Sequence, residues 1–191
     1  EAPAPAPEAP KAAAPAKVYN IGICQLVQHP ALDAATKGFK DYLTEQLGDK
    51  GKFDEQNAAG DSANCSTICN GFVSAGDDLI MANATAALTA ASQATTTIPI
   101  LGTSVTDYGS ALSVKDWNGK SGTNVSGTTD LAPLDQQASM LNELFPDAKK
   151  VGILYCSAEA NSKYQVDTIT PFLEKYGYTV TPYTFSDSND V

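Results

Sequence analysis

From Val18 onward, short β-rich runs alternate with spans of helical periodicity, and this alternation restricts the fold more than any other feature of the chain. "VYNIGICQLV" reads as a strand. "ALDAATKGFKDYLTEQL" follows with apolar residues at Leu32, Ala35, Phe39, Tyr42, Leu43 and Leu47, the spacing of one helix face. "KFDEQNA" is a weak strand, "SANCSTICNGFVSAG" a helix ending near Gly76, and "DLIMANA" a strand of the buried kind. "ATAALTAASQAT" and "IPILGT" supply another helix and strand. The βαβαβαβ order predicts a mostly parallel sheet covered by helices. After a turn-rich stretch with one short strand near Asn124–Thr128, "LAPLDQQASMLNELFPD" predicts a helix with Pro133 in its first turn. "KKVGILYCS" then restarts the pattern, "NSKYQVDTITPFLEKYG" predicts a helix closed by Gly177, and "YTVTPYTFS" a last strand. Two strands are too few for a parallel sheet buried on both faces. The expectation is therefore a first α/β lobe over residues 18–131, a crossing helix and hinge region over 132–149, and the truncated start of a second α/β lobe over 150–191.

Residues 1–17, "EAPAPAPEAPKAAAPAK", hold almost nothing to bury and favour an extended polyproline-like chain. At ~3 Å per residue such a segment reaches ~50 Å, which suits a disordered tether between an anchor and a folded domain. A tether at the start fits a mature exported protein anchored just upstream, although the sequence as given shows neither an export signal nor a long apolar span.

The net charge is −10, and every basic residue is Lys. With no basic stripe, nucleic acid is not an expected partner, and an acidic surface does not suit docking on anionic lipid. Cys65 and Cys69 share a helix face, but no second Cys or His pair completes a zinc site, so no metal is expected. Cys24 and Cys156 read as small buried hydrophobes.

In open α/β sheets, ligands bind beyond the carboxyl ends of the strands. The loops at that edge are "QLVQHPALD", "NAT", "GTSVTD" and "CSAEANS". All are polar and most open a helix. Taken singly, each Ser, Thr or Asn is a helix cap; together the loops predict a small-molecule cleft. A carboxylate there has no arginine to clamp it and would rely on backbone N–H groups and hydroxyls such as those of Thr85, Ser104 and Ser162. An amine would turn to Asp130, Asp107, Asp33 or Glu159. His29, the sole histidine, reads either as a wall of the cleft that donates a hydrogen bond to ligand or as a solvated loop residue. Glycine-rich phosphate loops, nucleophile elbows and Ser-His-Asp arrangements do not stand out, so neither an enzyme nor a cofactor is expected.

The segments "IGICQLVQHPALDAATKGF", "FDEQNAAGDSAN", "IPILGTSVTD", "VSGTTDLAPLDQQ" and "VGILYCSAEANS" resemble, in collinear order, the ABC-transporter substrate-binding proteins linked with tryptophan or tyrosine transport. The resemblance runs from about Val18 to Val191 and implies a type I periplasmic-binding fold: parallel-sheet lobes with helices on both faces, joined by a hinge. It implies an exported protein, lipid-anchored at the extracellular face of the cytoplasmic membrane or periplasmic, and a natural chain with a completed second lobe. The partners it implies are a small-molecule ligand, an amino acid and one of aromatic type in particular, and the membrane permease of an ABC importer.

By loop position and resemblance together, ligand contacts on the first lobe would be Gln25, His29, Leu32 and Asp33, then Asn83, Ala84 and Thr85, then Thr103, Ser104 and Val105. Leu32 and Val105 would pack on an apolar ligand group. Asp130 would lie near the hinge, and Ser157, Glu159, Asn161 and Ser162 would face them from the second lobe. A ligand-sensing module of the same fold, or an α/β enzyme acting on a small polar metabolite, are the alternatives; turnover and neighbouring genes would separate them.

Overall fold

A computed structural model describes residues 17–186, so the proposed tether, apart from Lys17, lies outside the described residues. Among the described residues fourteen elements succeed one another, the 3-10 turn Gly48–Lys50 included, and the strands fall into two parallel sheets. The first sheet holds β1 (Tyr19–Gln25), β2 (Gly51–Asn57), β3 (Leu79–Asn83), β4 (Ile100–Val105) and β5 (Val125–Thr129) in the order β2-β1-β3-β4-β5. The helices α1 (Pro30–Leu47), α2 (Ser62–Ala75) and α3 (Thr85–Ala94) carry the crossovers, and the short α4 (Tyr108–Ala111) follows β4. After β5 come α5 (Leu134–Leu144), β6 (Lys150–Cys156), α6 (Ala160–Lys175) and β7 (Thr179–Phe185). β6 and β7 pair in parallel as a separate sheet.

The alternation of β1 explains the layering. Ile21 and Ile23 point to one face, where with Met81 they meet Phe39, Leu43 and Leu47 of α1. Gly22 and Cys24 point to the other, where α2 and α3 pack through Phe72, Cys65, Cys69 and Leu88. α1 therefore covers one face of the sheet and α2 and α3 the other. A Cβ on Gly22 would run into the Phe72 ring and lie 2.7 Å from Asp77 Oδ2. That close approach lets α2 lie flat on β1.

The second sheet has cover on one side. Val151, Ile153 and Val180 pack with Ala138 and Leu141 of α5 and with Ile169, Phe172 and Leu173 of α6. On the opposite face the register pair Leu154 and Tyr183 is 62% and 58% exposed. A parallel sheet normally buries both faces, so this unit is open where a larger lobe would be closed.

Two details depart from the sequence reading. The first strand stops at Gln25, because Gln25 turns its amide inward and the chain leaves the sheet at Leu26. The four-residue α4 was not foreseen. Asp107 nucleates it by accepting hydrogen bonds from the Ser110 backbone N–H (2.7 Å) and hydroxyl (2.8 Å), which engages a carboxylate considered above for a ligand amine.

Candidate functional site

The strand order reverses at β1, because the chain goes from β1 to β2 on one side and then crosses back to β3 on the other, and this opens a crevice at the carboxyl edge. A cleft of about 1270 Å³ lies there, between the edge of the first sheet and the end of the second unit. That exceeds the roughly 300–1,000 Å³ of ordinary ligand pockets, as expected of an open two-walled site.

Of the residues expected at the site, Leu32, Ala84, Thr85, Ser104, Asp130, Glu159, Asn161 and Ser162 line this cleft together. The remainder do not line it. Gln25 and Asp33 border a smaller recess of about 400 Å³ beside α1 and β2. Val105 is fully buried in the core, packed with the residues beneath α2 and α3. Asn83 is also fully buried, and Thr103, paired with it in the ladder, is half-buried outside the cleft. Exposed Ser157 binds the Phe185 carbonyl through its N–H (2.8 Å) and hydroxyl (3.2 Å). His29 caps α1: its Nδ1 accepts from the Ala31 N–H at 3.2 Å, and the ring is exposed.

Gln25 and Asn83 belong to a buried relay that fixes the strand ends to α1. The Asn83 amide donates to the Leu32 carbonyl (2.8 Å) and to the Thr36 hydroxyl (2.9 Å). Thr36 donates to Gln25 Oε1 (2.7 Å), and Gln25 Nε2 donates to Asp33 Oδ1 (2.6 Å) and the Val27 carbonyl (2.9 Å). The relay pins Leu32 at the cleft wall, since its own carbonyl is one of the anchors. Asn83 Oδ1 is buried without a hydrogen-bond partner.

Next in the chain, Ala84 has φ 98° and ψ 161°, a conformation that costs a non-glycine residue about 1–3 kcal/mol. It is the N-cap of α3, and no side chain caps that helix. The first N–H groups of an α-helix have no intrahelical partner, and here Ala84, Thr85 and Ala86 all face the cleft. On β4 the register shifts between Gly102 and Val105, and Ser104 sits at φ 54°. This bulge turns Ser104 toward the cleft while Val105 returns to the core. Two strained non-glycine residues thus stand side by side in one wall.

From the opposite wall, α6 also starts at the cleft. Its N-cap Glu159 makes no side-chain bond to the backbone; its Oε2 accepts from the Ser162 hydroxyl at 3.0 Å. Among the described residues, the lining contains two carboxylates, Asp130 and Glu159, and no Lys, Arg or His. Leu26, Leu32, Ile153, Tyr155 and Phe185 give it apolar surface. Beneath it Tyr108 donates to the Thr128 carbonyl (3.1 Å) and stacks on Trp117, with ring centroids 6.1 Å apart. Burial pushes its phenol up to about 12, so it remains a donor at neutral pH.

The sequence reading missed the loop after β2 and the start of α2. Ala59, Gly60, Ser62, Ala63 and Ser66 line the cleft, and the signal was available, because "NAAGDSAN" also follows a parallel strand. Among the described residues, no group of His, Cys, Asp or Glu is arranged to hold a metal ion, and no helix is long and apolar enough to cross a membrane.

A two-walled cleft at the switch point of a parallel α/β sheet defines a protein of the type I periplasmic-binding fold, and comparison with known proteins agrees. The family model for ABC transporter substrate binding proteins matches residues 20–191, and the chain belongs to that family. A tyrosine-binding protein of Clostridioides difficile is 43% identical over 178 residues, covering 92% of this chain and 51% of its own length. The ABC domain of Streptococcus pneumoniae solved in complex with L-Trp superposes with a TM-score of 0.83 at 36% identity, over 91% of this chain and 59% of that one. A conserved domain protein of Vibrio cholerae gives a TM-score of 0.84 at 33% identity, over 91% and 60%. The chain therefore spans between half and two thirds of these relatives.

Proposed function

We propose that this chain is the ligand-capturing part of an ABC importer's solute-binding protein, and that the solute is a zwitterionic amino acid with an apolar, aromatic side chain. The observation that carries this reading is the uncapped α3 N-terminus at strained Ala84, opening into a cleft whose described lining holds two carboxylates and no basic side chain. The solute's carboxylate would rest on the free N–H groups at Thr85 and Ala86, with the Ser104 hydroxyl beside it. Its ammonium would face Asp130 and Glu159, and its side chain the apolar patch of Leu26, Leu32 and Tyr155. Ligand contacts on both walls would favour a closed arrangement over the open one. The tyrosine-binding relative and the L-Trp complex support the aromatic class. Delivery to a membrane permease, a place outside the cytoplasm and release of the solute unchanged follow from the same reading.

A thermal-shift screen of the twenty amino acids, with mass spectrometry of the recovered solute, tests it. A solute at 100 times its dissociation constant stabilises by ~2.7 kcal/mol. Selective stabilisation by tyrosine, tryptophan or phenylalanine, with the solute intact, is expected. Stabilisation by aspartate and glutamate alone, or a chemically altered solute, would overturn it.

A further inference from the structure

Three of the four cysteines meet in one place. Cys24 lies on the α2-facing side of β1, and Cys65 and Cys69 occupy successive turns on the inward face of α2. All three are completely buried, and all are free thiols. The packing sets their registration. Phe72 of α2 lies against Gly22, and the helix returns antiparallel to the strand, as a βαβ crossover requires. Two residues further along β1, about 6.6 Å on, stands Cys24. Going back along α2 from Phe72, Cys69 lies about 4.5 Å and Cys65 about 10.5 Å away. Cys24 therefore falls between them, in the same core cluster.

We infer that Cys24 and Cys65 form a disulfide when the chain folds under oxidising conditions, stapling α2 to β1 directly behind the cleft wall, with Cys69 left as the third thiol. A bridge between Cys65 and Cys69 is disfavoured, because i,i+4 sulfurs on one helix do not meet in disulfide geometry without distortion. Cys65 is the better partner for Cys24. It sits in the first turn of α2, where the helix N-terminus favours a thiolate as soon as that turn has formed. The oxidant is a small-molecule disulfide such as oxidised glutathione. Cys65 thiolate attacks it and releases one thiol. Cys24 then displaces the second, so that one S–S bond forms, two electrons pass to the oxidant, and the two thiol protons go to its two released thiolates. Burial shields the finished pair, so the exchange takes place before α2 docks. The consequence is a redox-dependent stiffness of the wall that carries Ser62, Ala63 and Ser66. This inference is independent of what the cleft binds.

The test is refolding of the full chain carrying Cys156→Ser in a glutathione redox buffer, followed by thiol counting in denaturant, peptide mapping without reductant, and a melt. One free thiol, a Cys24–Cys65 linked peptide and a rise of ~10 °C over the reduced protein are expected, the loop closed being about 40 residues. Adding Cys69→Ala should preserve the link, and adding Cys65→Ala should abolish it. Three free thiols, glutathione adducts without an internal link, or linkage through Cys69 would each overturn the inference.

Discussion

Replacing Thr36 by valine isolates the buried relay that fixes α1 to the strand ends. The side chain is nearly isosteric, and the residue is 3% exposed, so packing is preserved while two hydrogen bonds go. Asn83 keeps its bond to the Leu32 carbonyl, but Gln25 Oε1 loses its donor in a site only 4% exposed. An orphaned buried acceptor costs ~1–3 kcal/mol and a lost neutral hydrogen bond ~1 kcal/mol, offset by ~0.8 kcal/mol from the added apolar group. The net is about 1–3 kcal/mol. With a urea m-value of ~2 kcal/mol/M, the unfolding midpoint should fall by ~1 M, and Tm by ~7 °C. Thr36→Ser retains the hydroxyl and should cost under ~1 kcal/mol. Urea titrations of the three proteins decide it: a valine variant as stable as the serine variant would refute the idea that the relay, rather than packing, secures α1.

Ala84→Gly removes the left-handed strain at the α3 N-terminus, worth ~1–3 kcal/mol, against ~0.5–1 kcal/mol of extra unfolded-state entropy; a stabilised protein with weakened solute binding is expected from urea titration and calorimetry. Ala84→Asp places a carboxylate where the solute's own would sit, so calorimetry should show binding lost while the melt stays near that of the parent. Gly22→Ala forces a Cβ into the Phe72 ring and should destabilise by ~1–3 kcal/mol, read in the same titrations. Asp77 is 8% exposed with Oδ2 unpartnered, and burial first, then Asp54 and Asp78, push its carboxyl above the usual range. The folded state therefore holds that proton more tightly than the unfolded chain, and stability falls as pH rises from the ordinary carboxylate range through the raised value. Asp77→Asn should be the more stable protein at pH 7, with the advantage vanishing toward pH 3 in melts across that range.

The element order was legible because parallel strands buried on both faces and amphipathic helices leave unlike periods in the sequence, and runs such as "DLIMANA" and "IPILGT" admit little else. The cleft edge was legible for the same reason, since a parallel sheet fixes which loops share an end. The role of each residue on those loops was not. Gln25, Thr36 and Asn83 look like ordinary polar residues of three separate segments, and only the tertiary register joins them. Ala84 and Ser104 carry positive φ values that their residue types do not announce; they arise at the junction of β3 with α3 and at the bulge in β4. Val105 was read as cleft surface because one bulge reverses which side of β4 faces the ligand edge. The placement of Cys24 between two helix cysteines needed the strand–helix registration, which spacing along the chain does not encode.

Among the described residues, the chain passes from the first sheet to the second unit through residues 130–133, between the end of β5 and the start of α5. On the proposed function, the two walls of the cleft would act as two weak half-receptors joined by this short segment. For a solute that touches both, the second contact is made at an effective concentration set by that segment, on the order of millimolar for a short flexible one. Affinity then depends on linker length as well as on the contacts themselves. Lengthening residues 130–133 with glycine and serine would dilute one wall with respect to the other and weaken capture, without altering a single side chain that meets the solute.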